Sequence, residues 1–76
     1  MSLVLYHRIG EADSAAVRRR VVELGLKPRI DFQNVDNEGA EAWASLRGRV
    51  LPALHDGARL HEGKDAVLAA IETLPR

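Results

Sequence analysis

The chain contains no cysteine. That removes a disulfide framework, thiolate chemistry and any cysteine-based metal site. It also lacks net charge: 11 basic and 11 acidic side chains sum to zero. Zero net charge argues against non-specific attraction to nucleic acid or to an anionic membrane surface. No apolar run approaches the length of a membrane span, and no signal-peptide pattern follows Met1. A chain with neither staples nor an export signal is expected in the cytoplasm. Internal repeats, linkers and low-complexity segments are missing as well. The 76 residues make one domain. A domain of this size buries only about 60% of its unfolded surface, so its core is thin. An apolar fraction of 46% and a charged fraction of 29% belong to a folded globular chain, not a disordered one.

The chain is organised around Val50-Leu51-Pro52-Ala53-Leu54-His55-Asp56-Gly57. Proline cannot donate to a sheet ladder, so Pro52 marks the first residue of a strand. Asp56-Gly57 suits the two φ > 0 positions of a tight hairpin, with a return strand over residues 58–61. Upstream, residues 2–6 form a nearly unbroken apolar run, the pattern of a strand covered on both faces. A loop over residues 7–12 follows. Asp13 is the expected N-cap of a helix over residues 14–24, with Val17, Val21 and Leu24 on its apolar face and Gly25 as its C′ residue. Arg18, Arg19 and Arg20 read as its solvated surface. Residues 29–35 alternate as a half-exposed edge strand does. Asn37 is the expected cap of a second helix over residues 38–46, with Ala40, Trp43, Ala44 and Leu46 apolar and Gly48 as its stop. A last helix over residues 64–74 carries Val67, Leu68, Ile71 and Leu74 on one stripe, and Pro75-Arg76 is a frayed end.

The element order is β-α-β-α-β-β-α. A right-handed crossover makes the first two strands parallel. The doubly covered first strand belongs in the centre, and the alternating second and polar fourth strands belong at the edges. This α/β arrangement is a four-stranded mixed sheet with helices on both faces.

Such an order, with a proline heading the third strand, resembles the thioredoxin fold and its glutaredoxin-like branch. Leu5-Tyr6-His7-Arg8-Ile9-Gly10 is similar to the strand end and loop before the glutaredoxin active site. Asp36 resembles the acidic end of the second strand. Gly48-Arg49-Val50-Leu51-Pro52 resembles the segment leading to the family's cis-proline, with one residue fewer, so the Leu51–Pro52 peptide is expected to be cis. Glu62-Gly63-Lys64-Asp65-Ala66 resembles the segment that opens the last helix. The N-terminal domain of soluble glutathione transferases shares this layout, and Val17-Arg18-Arg19 with Glu23-Leu24-Gly25-Leu26 is similar to it.

The departure is at the active site. Where glutaredoxins carry Cys-Pro-x-Cys, this chain reads Glu11-Ala12-Asp13-Ser14. Thiol–disulfide exchange needs a thiolate, and neither a carboxylate nor a hydroxyl can replace it. The resemblance implies a redox-inactive domain with Glu11 and Ser14 at vestigial positions. It also implies a glutathione groove. Arg8 matches the residue that contacts a glutathione carboxylate, Leu51 and Pro52 match the peptide-pairing cis-proline edge, and Gly63, Lys64 and Asp65 match the segment holding the γ-glutamyl end. Glu11 and Asp13 set carboxylates at the same helix terminus, so glutathione is expected to bind weakly or not at all.

His7, His55 and His61 are expected at the surface, and no spacing resembles a metal site. Trp43 is expected to pack the second helix on the sheet. Three functions follow. The leading one is a cysteine-less binding or interaction module for an extended peptide, a protein partner or, weakly, glutathione, working in a groove between residues 8–14, Leu51 and Pro52, and residues 63–65. The second is a glutathione transferase-like enzyme using Ser14 or Tyr6. The third is a structural domain that self-associates, as a homodimer, through its edge strands.

Overall fold

A computed structural model describes residues 3–75. The elements are β1 (Leu3–His7), α1 (Ala12–Glu23), a 3-10 turn (Lys27–Arg29), β2 (Ile30–Asn34), α2 (Ala40–Leu46), β3 (Ala53–His55), β4 (Leu60–Glu62) and α3 (Lys64–Glu72). Ser2 and Arg76, placed above in the first strand and at a frayed end, lie outside the described residues.

The sheet is mixed, four-stranded, and ordered β2-β1-β3-β4. β1 runs parallel to β2, with Leu5 beside Phe32, and antiparallel to β3, with Leu5 beside Leu54. β3 and β4 form an antiparallel hairpin. The apolar first strand is therefore central, as expected.

Alternation along β1 divides the core in two. Leu3 and Leu5 join Val17 and Val21 of α1, Val67 and Ile71 of α3, and Leu26, Ile30 and Leu54. Tyr6 lies on the opposite face with Val35 and Ala53, covered by Trp43 and Leu46 of α2. Helices α1 and α3 thus share one face, and α2 lies on the other.

Local chemistry sets the boundaries. α1 ends where Gly25 takes φ 70°. The Gly25 and Leu26 N–H groups then donate to the carbonyls of Val22 and Val21, both at 3.0 Å, which closes the last turn as a Schellman motif.

Several expected boundaries differ. Asp13 does not cap α1; Glu11 does, because its longer side chain reaches back over two peptide N–H groups. Asn37 does not cap α2, which starts at Ala40 after an N-cap Gly39 with no side-chain bond. Residues 34–39 are folded back on Asn34 instead. Its carbonyl accepts from Asn37 N–H at 3.0 Å and Gly39 N–H at 2.8 Å, and Glu38 accepts from Asn34 N–H at 2.9 Å. Of the expected apolar positions, Trp43 and Leu46 pack on the sheet, while Ala40 and Ala44 are exposed. Arg47, not Gly48, takes the left-handed residue at the helix end, with φ 55°. Gly48 is needed for space: a Cβ there would lie 2.1 Å from the Trp43 ring.

The hairpin differs too. β3 begins at Ala53 rather than Pro52, and β4 at Leu60. Only Gly57 of the pair has positive φ, so Asp56 and Gly57 are not the two φ > 0 residues of the expected turn. The Asp56 carboxylate builds a four-residue loop by accepting from Ala58 and Arg59 N–H, both at 2.9 Å, and from His61 Nε2 at 2.9 Å. His61 first, then the two peptide N–H groups, hold this carboxyl well below the usual carboxylate range. His55 consequently faces Leu60, not the Ala58 that a two-residue turn at Asp56-Gly57 would set opposite it.

Candidate binding groove

Gly63, the N-cap of α3, donates its N–H to the Pro52 carbonyl at 2.8 Å. This bond ties the start of α3 to the cis Leu51–Pro52 peptide. The loop before that proline is pinned from β4. The Glu62 carboxylate accepts from Arg49 N–H at 2.6 Å and Val50 N–H at 3.0 Å. Those two bonds pull the Glu62 carboxyl below its ordinary value, and the Arg49 charge adds to them.

Between this loop, the end of β1 and α2 lies a groove of about 480 Å³ lined by Arg8, Glu11, Trp43, Arg49, Val50 and Leu51. Three expected residues, Arg8, Glu11 and Leu51, therefore line one cavity. Pro52 is buried beside it. Gly63 borders it, since a Cβ there would sit 3.7 Å from Val50, whereas Lys64 is not a lining residue and has its Nζ 3.9 Å from Asp13. Asp65 is exposed in the first turn of α3 and is not among the lining residues. Trp43, Arg49 and Val50 were missed by sequence reasoning.

At one end of the groove, Glu11 occupies the N-terminus of α1. Its carboxylate accepts from Ser14 N–H at 2.8 Å, Asp13 N–H at 3.0 Å and Ser14 Oγ at 2.6 Å. The Ser14 hydroxyl first, then the two peptide N–H groups and Arg18, hold the carboxyl below its ordinary value despite some desolvation. An anion thus already lies where the helix N–H groups point. Ser14 is fully buried, and its hydroxyl also accepts from Arg8 N–H at 3.2 Å. The hydroxyl proton is committed to Glu11, which leaves none to activate a bound thiol. Tyr6 is buried with its ring 5.5 Å from Trp43, on the α2 side of the sheet.

Arg8 is also engaged. Its Nε and one terminal nitrogen reach the Asp36 carboxylate at 3.0 and 3.2 Å. Arg49 carries the groove's other positive charge. Among the described residues its guanidinium has no hydrogen-bonded acid, and neither the N–H nor the carbonyl of Leu51 is hydrogen-bonded. The open end is therefore apolar, from Trp43, Val50 and Leu51, with one cation and a free peptide unit.

His7 corrects the expectation of surface histidines: it is only 6% exposed. As the last residue of β1 it falls on the face of Leu3 and Leu5, against Phe32. Among the described residues no histidines and carboxylates gather as a metal site, and no helix is long and apolar enough to cross a membrane.

No protein-family model matches this chain, and no curated protein is similar enough to it to count as a relative.

Proposed function

We propose that this chain is a glutaredoxin-like domain of the thioredoxin fold that works without redox chemistry, as a binding module for an extended peptide segment of a partner protein. The observation carrying this reading is the division of the groove. Its α1 end is filled by the chain's own Glu11 carboxylate, while its Leu51 end is open. A thiolate would need the N–H groups that Glu11 already holds, and the chain has no thiol to offer. An extended segment needs a free peptide unit to pair with and apolar contact beside it. Leu51 supplies the first, and Trp43 and Val50 supply the second. Support for the fold reading is the order β-α-β-α-β-β-α on a β2-β1-β3-β4 sheet, with α2 alone on one face. Glutathione in this reading is at best a weak ligand, because Glu11 repels its anionic end and Asp36 already neutralises Arg8.

Amide NMR with glutathione and, separately, a library of extended peptides tests the proposal. Peptide-induced shifts at Arg49, Val50, Leu51 and the Trp43 indole are expected, with millimolar or weaker response to glutathione. Peptide binding away from these residues, or disulfide reduction by the purified chain, would overturn it.

A further inference from the structure

His7 is the buried titratable group that the binding reading does not use. It is hemmed in on every side. Phe32 of β2 meets its ring edge-on at a centroid distance of 5.7 Å. From α1, Arg18 donates to its Nδ1 at 3.1 Å. Glu38, in the connection before α2, acts on it as an opposite charge. Its own carbonyl accepts from Val35 N–H at 3.0 Å.

An arginine is never an acceptor, so Nδ1 must be the unprotonated nitrogen in this contact. The same Arg18 nitrogen that reaches His7 also lies 3.4 Å from the Arg8 carbonyl. Arg8 in turn donates its N–H to Ser14, and Ser14 donates to Glu11. The imidazole, the guanidinium and the loop over residues 8–11 are thus one hydrogen-bonded chain, and that loop is a wall of the groove.

We propose that His7 and Arg18 form a proton-operated latch on this wall: the neutral imidazole holds the guanidinium against the Arg8 carbonyl, and the protonated imidazole expels it. Two donors cannot share the contact, and two cations 3.1 Å apart in a buried setting repel. Burial, then Arg18, disfavours the proton; Glu38 favours it but does not prevail. His7 therefore stays neutral at neutral pH and takes its proton only below the ordinary imidazole range. The folded form is favoured above the ordinary imidazole range and loses stability as pH falls through it toward the folded value. Loss of the Arg18 bond removes one of the two ties from α1 to Arg8, leaving the Ser14 hydroxyl as the other, and reshapes one side of the groove. This inference does not rest on which ligand the groove takes.

An NMR pH titration of the whole chain, from 7.5 down to 4.5, tests it. The His7 ring is expected to titrate below the unperturbed value of about 6.5. The amides of Arg8, Ile9, Gly10 and Ser14 are expected to shift with the same midpoint. In Arg18→Met the His7 midpoint rises, and the loop amides no longer follow it. In Glu11→Gln the step persists at the His7 midpoint, which separates it from carboxylate titration. An ordinary His7 midpoint in the natural chain would overturn the proposal, as would loop amides that ignore it or a step unchanged in Arg18→Met.

Discussion

Replacing Glu11 with alanine is the most informative single perturbation of this molecule. Three hydrogen bonds end on its carboxylate, from Asp13 N–H, Ser14 N–H and the Ser14 hydroxyl. Loss of a helix N-cap costs about 1 kcal/mol. A hydrogen bond from a buried neutral group to a charged one contributes about 1.5–3 kcal/mol, and Ser14 is fully buried. Water enters the space that the Glu11 side chain leaves, so these figures do not simply add. We expect a net loss of about 2 kcal/mol. At about 4–8 °C per kcal/mol in a domain this small, the thermal midpoint falls by about 10 °C.

Urea unfolding of the natural chain, Glu11→Ala and Glu11→Gln measures this directly. Glutamine keeps the shape and an acceptor oxygen but loses the charge, so it falls between the other two. The loss also depends on pH. The folded Glu11 carboxyl is held below its ordinary value of 4.5. Its contribution is complete above that value and disappears as pH falls through the folded value. The gap between the natural chain and Glu11→Ala therefore narrows in strong acid. A loss under about 0.5 kcal/mol at neutral pH, the range of an uninvolved surface change, would refute the capping argument.

Three further outcomes are expected. Gly48→Ala drives a methyl into the Trp43 ring, whose nearest atom lies 2.1 Å from the Cβ position. Overpacking of this kind costs about 1–3 kcal/mol, read from the urea midpoint by tryptophan fluorescence. Glu62→Gln loosens the segment before Pro52, because the amide holds the Arg49 and Val50 N–H groups less tightly than the carboxylate. Faster hydrogen exchange at those two amides, without global destabilisation beyond about 1 kcal/mol, is the expected result. Glu11→Cys places a thiol over the Asp13 and Ser14 N–H groups and the Ser14 hydroxyl. Its pKa should fall below the ordinary value of about 8.5, and the variant should form a mixed disulfide with oxidised glutathione. A thiol with an ordinary pKa that stays unmodified would count against the glutaredoxin-like reading.

The order of elements was legible because each strand and helix carries its own signal. The apolar run of β1, Gly25 after α1 and Gly63 before α3 mark positions that the structure uses as expected. What the sequence hid depends on side-chain reach. Glu11 and Asp13 both suit a helix start, and only the geometry of the loop decides that the longer acid caps. Asp56-Gly57 reads as a two-residue turn, yet Asp56 makes three hydrogen bonds through its side chain, and these favour a longer loop. His7 was legible in principle: one more residue on β1 puts it in step with Leu3 and Leu5. Trp43 and Arg49 were not legible as groove residues. They come from α2 and from the loop after it, and meet Arg8 and Glu11 only through the sheet.

Glu11 and Asp36 satisfy one end of the groove from within the chain. A helix whose first N–H groups face a groove requires an acceptor there, from a ligand or from the chain. Glu11 is that acceptor, so the α1 terminus is satisfied without any ligand. Arg8 is likewise matched by Asp36 before any ligand arrives. An anionic headgroup placed at this end would have to displace two carboxylates that already hold good geometry, and would gain only the difference. Leu51 is in the opposite situation, since its peptide unit has no partner among the described residues. A segment that pairs with it displaces only water. In the proposed peptide-binding reading, binding free energy in this groove comes from main-chain pairing at Leu51 and from apolar contact with Trp43 and Val50. In that same reading Arg49, whose guanidinium holds no acid by hydrogen bond among the described residues, selects among segments by charge.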